Sequence, residues 1–198
     1  MMKKRSTISL FLFLSMLLLP VLGLRVTEAA HTVEDVPGGK RVVFDTLPRS
    51  AGELSPAQTP EETAALTLAA LVRFSEDQAE GVAMLNVLRG PRPLSAQEIQ
   101  LLKDQLTKDR DYVARSHFEG ATPDNDYTPS QPYAVTVSDN PNSYMTEGYA
   151  TLYIRSGGAD SPRPVTLRLK PSTGEWFLWN HVGLLPGIRI PASKDAWR

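Results

Sequence analysis

The sequence predicts an α+β fold, with three N-terminal helices packed on a curved antiparallel sheet of about four strands. Three observations carry this: successive helix-start signals between residues 59 and 98, short alternating strands after residue 132, and reversal chemistry between those strands.

The chain opens with Lys3, Lys4 and Arg5, then an apolar run over residues 8–24 broken by Pro20 and Gly23, then Thr27-Glu28-Ala29-Ala30. A basic start, an apolar stretch and a small-residue exit form the pattern of a secretory signal peptide, so residues 1–30 are read as that segment, cleaved after Ala29 or Ala30. A retained membrane anchor is the alternative, because the run approaches the ~17 residues that can cross a bilayer. Residues 31–58 hold Pro37, Gly38, Gly39, Pro48, Gly52 and Pro56 with little periodicity. They read as a mostly irregular linker with a short edge strand at 41–45, ahead of a single domain at 59–198.

Helix signals then follow in quick succession. Thr59-Pro60-Glu61-Glu62 is a capping box with proline at the first helical position, and residues 64–72 are apolar nearly all round, as in a buried helix. Ser75 with Gln78 three residues on suggests a second start, lined by Val82, Leu85 and Leu88 and stopped by Gly90. Ser95 with Glu98 suggests a third, whose stripe is Ile99, Leu102 and Leu106.

Residues 112–118 read as extended, 119–131 as a loop, and 132–138 as a strand with Tyr133, Val135 and Val137 on one face. A meander follows at 149–155, 165–170 and 175–181. Its gaps, Ser156 to Pro162 and Pro171-Ser172-Thr173-Gly174, provide the glycines and prolines of reversals. Ala150, Leu152 and Ile154 oppose Thr151, Tyr153 and Arg155, and Val165, Leu167 and Leu169 oppose Thr166, Arg168 and Lys170. Each strand therefore has one buried and one wetter face. Trp176-Phe177-Leu178-Trp179 is apolar on both faces, which predicts a strand in the middle of the sheet.

Composition narrows the classes of function. At 22% charged and 41% hydrophobic, the 198 residues suit one packed domain, and with no cysteine there is neither disulfide, thiolate metal site nor cysteine nucleophile. Four basic residues and one acidic residue fall in 1–30, which leaves seventeen basic against twenty-one acidic beyond them. An acidic chain without a Lys/Arg run argues against nucleic acid as a partner. A membrane is expected as a partner only through the first segment, if it is kept.

Several segments, Thr59-Pro60-Glu61-Glu62-Thr63-Ala64, Ala83-Met84-Leu85-Asn86, Gly90-Pro91-Arg92-Pro93-Leu94-Ser95, Gly120-Ala121-Thr122-Pro123 with Asn125-Asp126-Tyr127-Thr128-Pro129, the Arg155 to Arg163 turn and Trp176-Phe177-Leu178-Trp179, together resemble a bacterial family, the domain of unknown function 6935. The resemblance spans about residues 59–197. It implies a secreted bacterial protein and transfers no catalytic residue. Helices followed by an antiparallel sheet also resemble the cone-shaped roll of the nuclear transport factor 2-like superfamily, which hosts enzymes and binding modules alike.

No catalytic or metal-binding motif is present. Asp124, Asp126 and Thr128 alternate as a calcium loop opens, yet Pro129 and Val135 stand where the EF-hand needs glycine and glutamate. An Asx-turn loop with carboxylates on nearby amides is the plainer reading. His117 and His181 lack a His-Glu-x-x-His or Gly-x-Ser-x-Gly partner motif; of the two, His181 at the end of the aromatic strand is the candidate for a pocket mouth. Tyr127, Tyr133, Tyr144, Tyr149, Tyr153, Trp176 and Trp179 are either core and sheet residues or a platform for sugar rings. Arg155 and Arg168 on wetter faces suit a carboxylate or phosphate, or a cross-strand pair.

These residues predict a secreted, non-enzymatic module without a cofactor, which binds a protein, glycan or small molecule through some of Asp126, Tyr127, Tyr149, Arg155, Arg168, Trp179 and His181. A small hydrolase or isomerase-like enzyme with a pocket between helices and sheet, using His181 or Asp126 with Tyr149, is the alternative. An envelope structural protein without a pocket is the third.

Overall fold

The computed structural model of the protein describes residues 30–55 and 57–197, so the signal-peptide expectation lies outside the described residues. Ten elements follow one another: β1 (His31–Val36), β2 (Gly39–Phe44), α1 (Pro60–Glu76), α2 (Gln78–Arg89), α3 (Ala96–Gln105), α4 (Tyr112–Arg115), β3 (Tyr133–Ser138), β4 (Tyr149–Ile154), β5 (Arg163–Lys170) and β6 (Glu175–Asn180). The fold is α+β. Its six strands form one antiparallel sheet in sequential order, β1-β2-β3-β4-β5-β6.

Two strands exceed the expected four because residues 31–44 form a hairpin: the short strand expected at 41–45 is present as β2, but it lies inside the sheet, and β1, read as linker, takes the edge. Gly38 sits at φ +81°, so the Pro37-Gly38 pair makes the reversal. Only Val42 and Phe44 enter the core, and β1 is exposed along most of its length, so alternation there is too short to be read. A fourth helix, α4, replaces the extended stretch expected at 112–118. One turn of helix carries no legible period, although Tyr112, Val113 and Ala114 are all buried.

The first helix starts as its residues dictate. Thr59 Oγ1 accepts from the Glu62 amide at 3.3 Å while Glu62 reaches back to the Thr59 amide at 3.1 Å. Ser75 does not begin α2: it lies inside α1 and returns its hydroxyl to the Leu71 carbonyl. Asp77 is the cap instead, with Oδ1 accepting from the Glu80 amide at 3.2 Å. The two helices are thus joined by a single residue and fold back closely. A β-carbon on Gly81 would stand 2.3 Å from Phe74 Cα, so only glycine permits the crossing.

α1 is the centre of the core. Residues from Thr63 to Leu71 are almost all fully buried, and they pack with Val42, Val135, Leu152, Ile154, Leu167 and Leu178 from one face of the sheet. Two hydroxyls in this apolar helix are satisfied, Thr67 by the Thr63 carbonyl at 2.7 Å and Thr63 by the Trp176 carbonyl at 3.0 Å.

β6 is an edge strand, contrary to the expected central place. Its two apolar faces have another cause. Leu178 enters the core, while Phe177 lies against the turn after α2, where a β-carbon on Gly90 would come within 2.4 Å of its ring. The α2–α3 turn therefore reaches round the sheet edge and covers the face that α1 leaves open.

Candidate functional site

The side chains of interest meet on the sheet face turned away from α1, at its β6 edge. Tyr149 and Arg168 are directly opposed across the β4–β5 ladder. The β5–β6 register slips: Leu167 faces Leu178, but the preceding Thr166 faces Asn180, so Trp179 is the extra residue of a bulge. A bulge re-aims a side chain. The Trp179 ring stands against Tyr149, with centroids 5.4 Å apart at 83°.

Arg92 arrives from the turn after α2. Gly90, at φ +59°, closes that helix by donating to the Asn86 and Val87 carbonyls, and the Asn86 side chain accepts from the Leu94 amide at 2.8 Å. Arg92 then sits between Pro91 and Pro93 on a stiff loop. Its guanidinium carbon lies 4.0 Å from the Trp179 ring centroid, and its Nη2 donates to the Trp179 carbonyl. Arg168 lies 5.0 Å from the same ring and 5.4 Å from Tyr149. Both distances fall within cation–π range.

Beneath this layer a buried cation paired with a half-buried carboxylate fixes the loop. Arg89, 3% exposed, donates to Glu98 at 2.8 Å and to the Arg92 carbonyl at 2.9 Å. Burial lowers the Arg89 pKa, and the neighbouring Arg92 adds to it, against Glu98. Burial works to raise the Glu98 carboxyl, but hydrogen bonds from Ser95 and the charge of Arg89 outweigh it and hold it low. Glu98 is also the capping glutamate of α3, so one carboxylate ties the end of α2 to the start of α3. His181 lies near these groups and is only 2% exposed; burial first, then Arg89, pushes its pKa down to about 4. Its Nδ1 is buried without a partner.

Two clefts adjoin at Trp179. The first, about 370 Å³, has an almost wholly apolar wall including Pro91, Leu169, Pro171 and Phe177, with Arg92, Arg168 and Lys170 among its lining. The second, about 330 Å³, is polar: Asn142, Ser143, Thr146, Thr151, Thr166 and Asn180 line it beside Tyr149 and Trp179. Among the described residues no carboxylate stands within ion-pairing distance of Arg92, Arg168 or Lys170, and neither cleft is lined by an acidic residue or histidine.

Other concavities differ in this respect. A cavity of about 360 Å³ between α1, α4 and the start of β3 is lined by Arg49, Arg73 and Arg115, but these pair with Glu76, Asp77 and Asp111. One of about 420 Å³ lies along the C-terminal arm at Arg189, Ile190 and Trp197. Among the described residues no group of three or more His, Cys, Asp or Glu stands close enough to hold a metal ion, and no helix is long and apolar enough to cross a membrane.

Of the residues singled out from sequence, the fold brings Tyr149, Arg168 and Trp179 together. His181 is adjacent in sequence but buried, so it is not at a pocket mouth. Asp126 and Tyr127 belong to a different region: Asp126 accepts from Ser193 Oγ at 2.6 Å. Tyr127 is fully buried, stacks on Tyr112, and donates to the Arg189 carbonyl at 2.7 Å, with burial pushing its pKa up to about 12. It pins the C-terminal arm. The loop around it is organised by Asn125, whose side-chain amide accepts from Thr122 and Thr128 and donates to the Gly120 and Thr128 carbonyls. Arg155 is exposed and lines none of these cavities.

Arg92 and Lys170 were missed. One charged residue between two prolines after a glycine helix stop was the available signal for Arg92, because such a turn is stiff enough to present a side chain in a fixed direction. Lys170 was legible only as a wet-face strand residue.

The fold and these clefts define a cysteine-free α+β domain with a basic, aromatic face at one sheet edge. The chain belongs to the family described as Domain of unknown function (DUF6935), whose model matches residues 45–192. The matched region begins just after β2 and includes every residue of the Arg92, Trp179 and Arg168 cluster. No curated protein and no solved structure matches the chain.

Proposed function

We propose that this chain is a secreted bacterial binding module whose ligand carries an anionic group, held by Arg92 and Arg168 beside Trp179. One observation carries the reading: Arg92, Arg168 and Lys170 line one cleft without a carboxylate partner, in a chain whose acidic residues outnumber its basic ones beyond residue 30. Like charges gathered without neutralisation repel one another unless an anion joins them. Guanidiniums laid against aromatic rings are already oriented, so less rotamer freedom is lost when their N–H forks meet a carboxylate or phosphate.

A bare sugar platform is less favoured. Arg92 already stands over the Trp179 ring, and Tyr127 is in the core. The enzyme reading has equally little support, because Asp126 and Tyr149 line no common cavity and His181 points to no open cleft as a lining residue. A general acid or base must reach its proton through hydrogen-bond contact. The nuclear transport factor 2-like likeness is a reading of element order, and the cleft proposed here lies on the face opposite the helices that such a roll would use.

The experiment is a calorimetric titration of the 31–198 chain with inorganic phosphate and with acetate, repeated for Arg168→Gln. Saturable binding that weakens tenfold or more in the variant and falls with added salt supports the reading. Absence of binding by the native chain to both anions and to a longer-chain carboxylate overturns it.

A further inference from the structure

We infer that the ligand is a small amphipathic anion, with a carboxylate or phosphate monoester head between Arg92 and Arg168 and a single apolar chain or ring in the cleft beside the Gly90–Arg92 turn. This rests on the anion reading above and adds the chemistry of the rest of the molecule.

The cleft divides into two kinds of surface. Its cations belong to three side chains, Arg92, Arg168 and Lys170, while Pro91, Leu169, Pro171 and Phe177 form an apolar wall. Arg89, the fourth cation there, is 3% exposed and paired with Glu98, so its charge is already matched. A bare inorganic ion would use the cations and leave the apolar wall wet. A neutral hydrophobe would fill the wall and leave three charges unmatched. Only a molecule with both parts satisfies both surfaces.

Size agrees with this assignment. A volume of about 370 Å³ falls at the small end of pockets that take discrete ligands. Water against an apolar wall finds few hydrogen-bond partners, so an apolar group that displaces it gains affinity. The second cleft, lined by hydroxyls and amides, is the solvent-side shoulder over which the head keeps its remaining hydration.

The preformed cleft also has a structural reason to stay open. The α2–α3 turn is held by the Asn86–Leu94 bond and by the Arg89 bond to the Arg92 carbonyl, so the wall does not depend on the ligand for its shape. Phe177 cannot swing toward the helix, because Gly90 already stands against its ring.

The test is a chain-length series on the 31–198 chain, which contains all ten elements. Acetate, hexanoate, octanoate and decanoate are titrated with octyl phosphate, 1-octanol and inorganic phosphate as companions. Affinity should rise roughly fourfold per methylene until the cleft is full. Octanoate or octyl phosphate should bind at least tenfold more tightly than 1-octanol, and the tighter of the two identifies the head. In Arg168→Gln the advantage of octanoate over 1-octanol should disappear while 1-octanol binding is kept, a contrast that a merely unfolded variant does not give. If octanoate binds no better than acetate while acetate and phosphate still bind, the amphiphile inference is overturned and the anion reading stands. If none of the anions binds, both fall.

Discussion

Trp179 receives Arg92 twice: the guanidinium carbon lies 4.0 Å from the centre of its ring, and the same guanidinium donates to its backbone carbonyl. One side chain thus links the turn after α2 to the bulged residue of an edge strand, and it sets the direction of both. Trp179 follows the core residue Leu178 and stands at the break in register between Leu178 and Asn180, on the face that Tyr149 and Arg168 share.

Replacing Arg92 removes a stacked cation and a backbone hydrogen bond together. Arg92→Ala is expected to cost about 1–2 kcal/mol of stability by urea unfolding, and it should weaken anion binding at least tenfold. Arg92→Lys should recover much of the stability and little of the binding, since an ammonium lacks the planar fork. Equal loss of both in the lysine variant would contradict the positioning argument.

Glu98 serves a buried cation and a helix cap at once. Glu98→Ala leaves the buried Arg89 without its carboxylate and removes a helix cap, a loss of about 1–3 kcal/mol, large enough to lower the melting temperature plainly. The exposed pair Arg189–Asp160 is the comparison: Asp160→Ala should melt with the native chain. Thermal denaturation of the two variants side by side distinguishes the cases.

Helix propensity and packing oppose each other at residue 81. Alanine is the better helix former by about 1 kcal/mol, yet its β-carbon would lie 2.3 Å from the Phe74 backbone. Packing should win. Gly81→Ala is expected to destabilise by more than about 2 kcal/mol as α1 and α2 are forced apart, and a stabilised variant in a urea melt would refute the crossing.

Two buried imidazoles make stability depend on pH. Burial lowers the pKa of His117, and of His181 to about 4, below the ordinary value for the unfolded chain. Both are neutral in the fold. Their contribution is complete above about pH 6.5 and is lost as pH falls toward the folded pKa values, because the unfolded chain takes up protons that the fold refuses. For His181 the loss is of the order of 3 kcal/mol between pH 7 and pH 4. The urea midpoint should therefore drop between these values, and less so in His181→Gln. A midpoint that rises on acidification would contradict the assignment.

Much of this architecture was legible because local chemistry and final environment agree. Thr59 and Ser95 sit in capping boxes that close as their spacing requires, and Ala150, Leu152 and Ile154 enter the core together as alternation requires. The misreadings occurred where distant contacts decide. The strand at 41–45 was legible, but nothing local in residues 31–44 announces its pairing with β3 or the first strand of the hairpin, β1. The apolar faces of β6 were legible, but a strand covered by a loop leaves the same pattern as one flanked by strands. Of the site, Tyr149, Arg168 and Trp179 stood out by residue type, whereas Arg92 reaches them only through the course of the α2–α3 turn. Tyr127 looked like a surface aromatic because the sequence around it is polar, and its burial depends on the C-terminal arm sixty residues further on.

The most direct test of the account is side-chain nuclear magnetic resonance of the 31–198 chain during titration with octanoate, observing the arginine Nε–H and tryptophan indole N–H signals. The account predicts that Arg92, Arg168 and Trp179 shift together along one binding curve, while Arg49, Arg73 and Arg115 of the other cavity stay still. Shifts confined to that second cavity, or none at all, would contradict it.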